Sequence, residues 1–291
     1  MAISVEPEAF YETLHQRWKI VRREWKRCRR KASEPRIHDL RVALRRLLFS
    51  AALLSEAFPD LIPPRHLLEA KRHLKKLSKL RDLQVMLQRL TEMAEKYSGI
   101  SEIVSETSDQ VERRVAKIER YLRNNDVNEL LKLLPTVEQF QTRLQQTEKP
   151  ITDVLLTQIS LRYRDVVAKH TTLNAKYPET IHDLRIAFKK YRYQLEAVAE
   201  HIPLRSTTVL KRMQALQTML GDIHDYDVLL DFLISHRKSK FGEKSRHYQR
   251  PVILLRKQWQ SNIDRLFSKL PTMNAYSPNR LIAAKYWKVK S

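Results

Sequence analysis

Apolar residues recur at intervals of three and four through most of this chain. In residues 8–31, Phe10, Leu14, Trp18, Val21, Trp25 and Cys28 share one face, with Arg17, Arg22, Arg23, Lys26, Arg29 and Arg30 around them. That spacing predicts an amphipathic helix whose tryptophans pack in a core. Ser33-Glu34-Pro35 ends it and starts a second helix, with Ser33 as N-cap and Pro35 in the first turn. The second helix runs to about Phe58, and Pro59, Pro63 and Pro64 mark a loop. A long third helix is predicted over 65–97 and a fourth over 101–134, with a break near Asn124-Asn125-Asp126. The same order then returns. A helix over 151–174 ends at Tyr177-Pro178, the next reaches His201, another follows Pro203 and passes through 220–230, and a last one covers 244–269, where Pro251 is a candidate break.

Within this order one stretch occurs twice. Residues 36–49 read RIHDLRVALRRLLF and residues 180–193 read TIHDLRIAFKKYRY, aligned without a gap at an offset of 144. At 100° per residue, His38, Arg41 and Arg45 fall within about 60° of each other, and Ile37, Leu40, Leu44, Leu47 and Ala51 take another face. The second copy places His182, Arg185 and Lys189 on the polar stripe and Ile181, Leu184, Phe188, Tyr191 and Leu195 on the apolar one. A solvated basic face is the bland reading of one such helix; its return at matched positions favours a shared site. A second pair of stretches also corresponds: Arg81-Asp82 with His224-Asp225, and Val85 with Val228.

The predicted class is therefore all-α, two pseudo-symmetric antiparallel four-helix bundles whose repeated helices face a basic central channel. The halves fall at 1–140 and 151–270, separated by a polar linker at 141–150. A basic tail, 271–291, with Tyr276, Tyr286, Trp287 and three Lys, reads equally as a free segment or as a strap over the bundle. Three glycines in 291 residues argue against Gly-rich phosphate loops and dinucleotide-binding turns. The lone Cys28 rules out an internal disulfide and a cysteine-based metal site. MAISVEPEAF lacks the pattern of a secretory signal and no apolar run approaches 18 residues, so the expected location is cytoplasmic, with no membrane insertion.

A formal net charge of +22 asks for a polyanionic partner. Nucleic acid, an anionic membrane surface and inorganic polyphosphate are the candidates. Arg72, Lys75, Lys76 and Lys79 form a further basic stripe on the third helix, and Arg22 and Arg29 extend the cationic surface of the first. No aromatics interleave with these stripes in sequence, which disfavours base stacking on single strands. Three His-Asp dipeptides, at 38–39, 182–183 and 224–225, raise the alternative of a metal-dependent phosphohydrolase. Adjacent helical residues point about 100° apart, however, and imidazole among arginines is a poor place for a cation. Asp82, Asp222, Asp225 and Asp227 are read as ion-pair partners that orient Arg and His. No metal, cofactor or catalytic set is expected.

These residues resemble the CHAD family, the conserved-histidine α-helical domain, over about 8–270. The likeness rests on His38, Arg41, Arg45 and Arg46, on His182, Arg185, Lys189, Arg192 and Tyr193, and on Leu220, Gly221, His224, Asp225, Asp227 and Val228, a stretch that the family has at the end of a later helix. The first half departs from the pattern with Ser78 for the glycine, Gln84 for the second aspartate, and Leu48 where the second half has Arg192. The resemblance implies non-enzymatic binding of inorganic polyphosphate in a channel between two bundles, in a standalone domain compatible with targeting to polyphosphate granules. Nucleic acid is the alternative partner, and a protein partner or homodimer is left open. The residues expected to bind are those two sets together with Lys190, Arg72, Lys75, Lys76, Lys79, Arg22 and Arg29. Proton uptake by His38 and His182 is expected to tighten binding as pH falls from about 8 to 6.

Overall fold

The computed structural model describes residues 7–147, 150–202, 204–206, 208–240 and 249–283. Its helices are α1 (Pro7–Arg30), α2 (Glu34–Ala57), α3 (Pro64–Ala94), α4 (Ser101–Asn124), α5 (Val137–Gln145), α6 (Ile151–Thr171), α7 (Pro178–Ala199), α8 (Thr208–Lys240), α9 (Gln249–Lys269) and α10 (Pro278–Leu281). No strand occurs among the described residues; Leu204 and Ile282 form an isolated bridge. The fold is all-α. Prolines in the first turns of α2, α3 and α7 start these helices where a missing N–H costs nothing. Pro7 and Ile151, Glu34 and Pro178, and Pro64 and Thr208 each stand 144 residues apart, so the sequence repeat is a repeat of whole helices.

Helix α1 packs on α2 and α4, α2 on α3, and α3 on α4; in the second half α6, α7, α8 and α9 pack in succession. The halves meet where α2 lies against α7 and α6. One core runs through both, from Trp25, Leu40 and Leu44 to Leu184, Phe188 and Leu195. A smaller cluster joins Met86, Leu90 and Ile103 to Leu229, Leu233 and Leu255. Each large side chain so buried contributes about 1.5–3 kcal/mol, which offsets the self-repulsion of a highly basic chain. Trp18 and Trp25 are buried in the core as their spacing predicts, and the Trp25 indole donates to the Leu122 carbonyl.

Three segments differ from expectation or settle an open reading. The polar stretch around the expected linker holds α5, started by a reciprocal capping box between Thr136 and Gln139 and pinned by buried Phe140. Gly221 and Ser78 lie inside α8 and α3, which run on to Lys240 and Ala94. The stretches shared by these two helices therefore mark mid-helix positions, not helix ends. Finally, residues 273–282 form a strap on the second half. Met273, Tyr276, Leu281 and Ile282 are buried, and Tyr163 and Tyr191 donate to the carbonyls of Met273 and Tyr276. Pro251 stands in the first turn of α9 and causes no break; the expected helical residues 244–248 and the tail 284–291 lie outside the described residues.

Candidate polyanion site

The two copies of the repeated helix meet at one pocket of about 240 Å³. Helix α2 supplies Arg41; α7 supplies Arg185 and Lys189; α3 supplies Ser78, Asp82 and Arg89; and α8 supplies His224 and Asp225. Val85, Met86, Val228 and Leu229 complete the wall. Helical periodicity explains the convergence. Arg185 and Lys189 are one turn apart beside the core-facing Leu184 and Phe188, so burying the apolar stripe carries the cations to the seam between halves. One turn further along, Arg45 crosses the seam and donates to the Tyr193 hydroxyl at 2.6 Å, and Tyr193 stacks on Phe49 with ring centroids 4.9 Å apart.

Burial and the neighbouring charges set the pocket's electrostatics. Burial, then repulsion from Arg45, pushes Arg41 down to about 10. Burial, then the charges of Arg185, Arg45 and Arg41, pushes Lys189 down to about 8. Arg185 is lowered by burial in the same way. His224 falls to about 4 through burial and the charges of Arg185, His182 and Lys189, so it is neutral at neutral pH. Asp82 and Asp225 are raised by burial against the pull of neighbouring cations. Arg41 reaches Ser78 Oγ at 3.4 Å, but its buried Nε has no hydrogen-bond partner among the described residues. A buried donor left unpaired is costly, and an anionic oxygen would satisfy it.

The remaining expected residues are distributed over other surfaces. Arg72, Lys75, Lys76 and Lys79 line a separate groove between α3 and α4. His38 and Arg46 lie with Arg17, Arg23 and Arg27 on the face between α1 and α2. His182 is exposed and reaches the central pocket only through His224, at 5.2 Å between ring centroids. Arg22 is exposed over the Trp18 ring, and Arg29 and Lys190 are exposed.

Arg192 has a different place. It is buried, donates to Gln217 and Glu196, and lies 4.2 Å over the Tyr193 ring. Burial raises Glu196, and Arg192, then Arg46 and Arg17, oppose that shift. Arg192→Ala is expected to cost about 2 kcal/mol of stability, because it strands Glu196 and Gln217. Urea unfolding checks this, and an unchanged midpoint would refute it.

Periodicity alone did not mark Arg89. Its guanidinium stands 3.4 Å from Asp225 and 3.6 Å from Asp222, and 4.7 Å over the Tyr226 ring, joining α3 to α8 across the pocket. The expectation that aromatics keep away from the basic stripes fails in three dimensions. Tyr193, Tyr226 and Tyr121 lie beside Arg45, Arg89 and Lys76, each with a cation over its ring. Those faces are already occupied. The three His-Asp dipeptides do not share one site: His182 lies beside His224, but Asp183 pairs with Lys169, Asp39 faces Arg27, and Asp225 pairs with Arg89. Among the described residues no three metal-ligating side chains come together.

Known proteins place this architecture. A search of curated proteins finds no match. Among solved structures, the chain is similar to the CHAD domain from the plant Ricinus communis. That match has a TM-score of 0.67 at 17% identity, covering 99% of this chain and 94% of that one. It is also similar to PptA from Streptomyces chartreusis, at a TM-score of 0.56 and 13% identity over 90% of this chain and 96% of that one. The CHAD domain family model matches residues 12–234, from within α1 into α8, and the chain belongs to the CHAD domain family.

Proposed function

We propose that this protein binds inorganic polyphosphate, without turning it over, in the pocket between α2, α3, α7 and α8. One observation carries the reading. Arg41, Arg185 and Lys189, from the repeated helices of both halves, converge where burial disfavours their charges. Four cations, counting Arg89, line the pocket against the two carboxylates Asp82 and Asp225. A polyphosphate chain offers closely spaced anionic oxygens and no base edges. Arginine matches such oxygens bidentately, lysine supplies a point charge, and neutral His224 adds a ring nitrogen for a further hydrogen bond.

Two further features support binding over catalysis. Asp225 and Asp222 are engaged with Arg89, which fits them to orient cations. The His-Asp dipeptides serve separate ion pairs. On this reading the protein would collect at polyphosphate granules in cells that form them.

The test is competition at about 150 mM salt, with long-chain polyphosphate and single-stranded RNA matched for total charge. Polyphosphate is expected to displace RNA. Equal or better retention of RNA would overturn the assignment in favour of nucleic acid.

A further inference from the structure

Among the described residues, a dense group of unpaired cations lies outside the central pocket. Between α3 and α4 a groove of about 580 Å³ is lined by Arg72, Lys75, Lys76 and Lys79 from one helix and by Arg114, Lys117 and Arg120 from the other. Its lining includes no Asp or Glu, and none of the seven cations forms an ion pair among the described residues. Ile118, Tyr121, Asn124 and Asn125 complete the lining. Seven like charges set along one concave strip repel one another, so this arrangement favours an extended polyanion as occupant.

Helix α3 joins this groove to the central pocket. At 100° per residue, Lys75 and Lys79 fall within about 60° of the pocket-lining Asp82. Lys79 follows Ser78, which lines the pocket, and Arg72 lies about 9 Å back along the axis from Ser78. The pocket face and the groove face are therefore adjacent strips of one helix, shifted lengthwise. A thin chain leaving the pocket past Ser78 meets Lys79, Lys75 and then the cations of α4 without crossing an acidic lining residue.

We infer that the α3–α4 groove is a second, contiguous binding site for the same polyphosphate chain, which makes affinity depend on chain length. This inference rests on the reading of the central pocket given above. A duplex is too wide to sink between two packed helices. Single-stranded nucleic acid would seek an open aromatic face, but Lys76 lies 3.8 Å over the Tyr121 ring and His73 holds its hydroxyl at 2.6 Å. Polyphosphate needs neither width nor stacking. Two linked sites on one ligand act by effective concentration, so short chains gain from one site and long chains from both.

The experiment uses the full chain with Arg114→Gln, Lys117→Gln and Arg120→Gln combined, since these side chains line the groove and none of them lines the central pocket. Affinity for polyphosphate of graded length is measured at fixed salt, beside an Arg185→Ala variant. The native protein should bind tighter as chains lengthen past the size that fills the pocket. The triple variant should keep short-chain affinity and lose at least tenfold for long chains. Native-like long-chain binding by the triple variant would overturn the inference and leave the pocket reading intact. If native protein shows no short-chain binding and Arg185→Ala has no effect, the pocket reading itself fails. A triple variant that loses RNA or anionic-vesicle binding, with polyphosphate unaffected, would assign the groove to nucleic acid or lipid and overturn the inference as well.

Discussion

Replacing Arg41 and Arg185 together by alanine is expected to weaken polyphosphate binding by about 3–6 kcal/mol, on the order of 10²–10⁴-fold. Each guanidinium lines the same pocket from a different half of the chain. A charge-assisted hydrogen bond in a partly buried place contributes about 1.5–3 kcal/mol, so two such contacts set the range. The two side chains share Asp82 as a neighbour, so their effects will not add strictly. Stability should hold, because each arginine raises the cost of charge at Lys189 and removing it relieves that repulsion. The measurement is titration with polyphosphate for both single variants and the double, with urea unfolding as the control. A single variant that abolishes binding while the other changes nothing would show that the pocket is not shared between the repeated helices.

The helices were legible because their signals are local. Periodic apolar positions and first-turn prolines placed α1, α2 and α7 within a residue or two of their observed ends. The repeat of His, Arg and a basic residue pointed to a shared place for the two helices, and Arg41, Arg185 and Lys189 line one pocket. What the sequence hid was contact between distant segments. Arg45 with Tyr193, Arg162 with Glu56, and Arg89 with Asp225 join residues 148, 106 and 136 apart, and no periodicity encodes such pairs. Arg192 shows the converse. Its place in the repeated motif suggested a ligand contact, but its helix face is turned to Gln217 and Glu196.

Two features were readable but easily passed over. Arg114, Lys117 and Arg120 stand at intervals of three on α4 and complete the groove begun by the stripe on α3. The Thr136–Gln139 capping box announces α5 inside a stretch whose Gln, Thr and Glu content suggests a linker. Composition misled there because a nine-residue helix held by one buried side chain, Phe140, needs few apolar residues.

Binding is also expected to weaken as pH rises above about 8, and the responsible group is Lys189. The sequence alone pointed to His38 and His182 and to a window between about pH 8 and 6. In the fold both histidines are exposed, and neither lines the pocket. Lys189 does line it. Burial comes first among the causes that lower it to about 8, then Arg185 on its own helix and Arg45 and Arg41 from α2, with Asp82 of α3 opposing. From α8, neutral His224 and Asp225 complete its surroundings. A bound polyanion favours the ammonium form and so raises the pKa in the complex. Below about pH 8 the free protein already carries that proton, and affinity is insensitive to this group. Above it, binding must first restore the proton, and affinity falls by up to about tenfold per pH unit, or about 100-fold between pH 8 and 10. Lys189→Arg keeps the charge through this range and should flatten the curve with little loss of affinity at pH 7. Lys189→Gln should bind more weakly at pH 7 and be equally flat. Proton uptake on binding at pH 8.5, read by calorimetry in two buffers of different ionisation heat, should be present in native protein and absent in both variants. If Lys189→Arg loses affinity with pH in parallel with the native chain, the proton-linked group lies elsewhere.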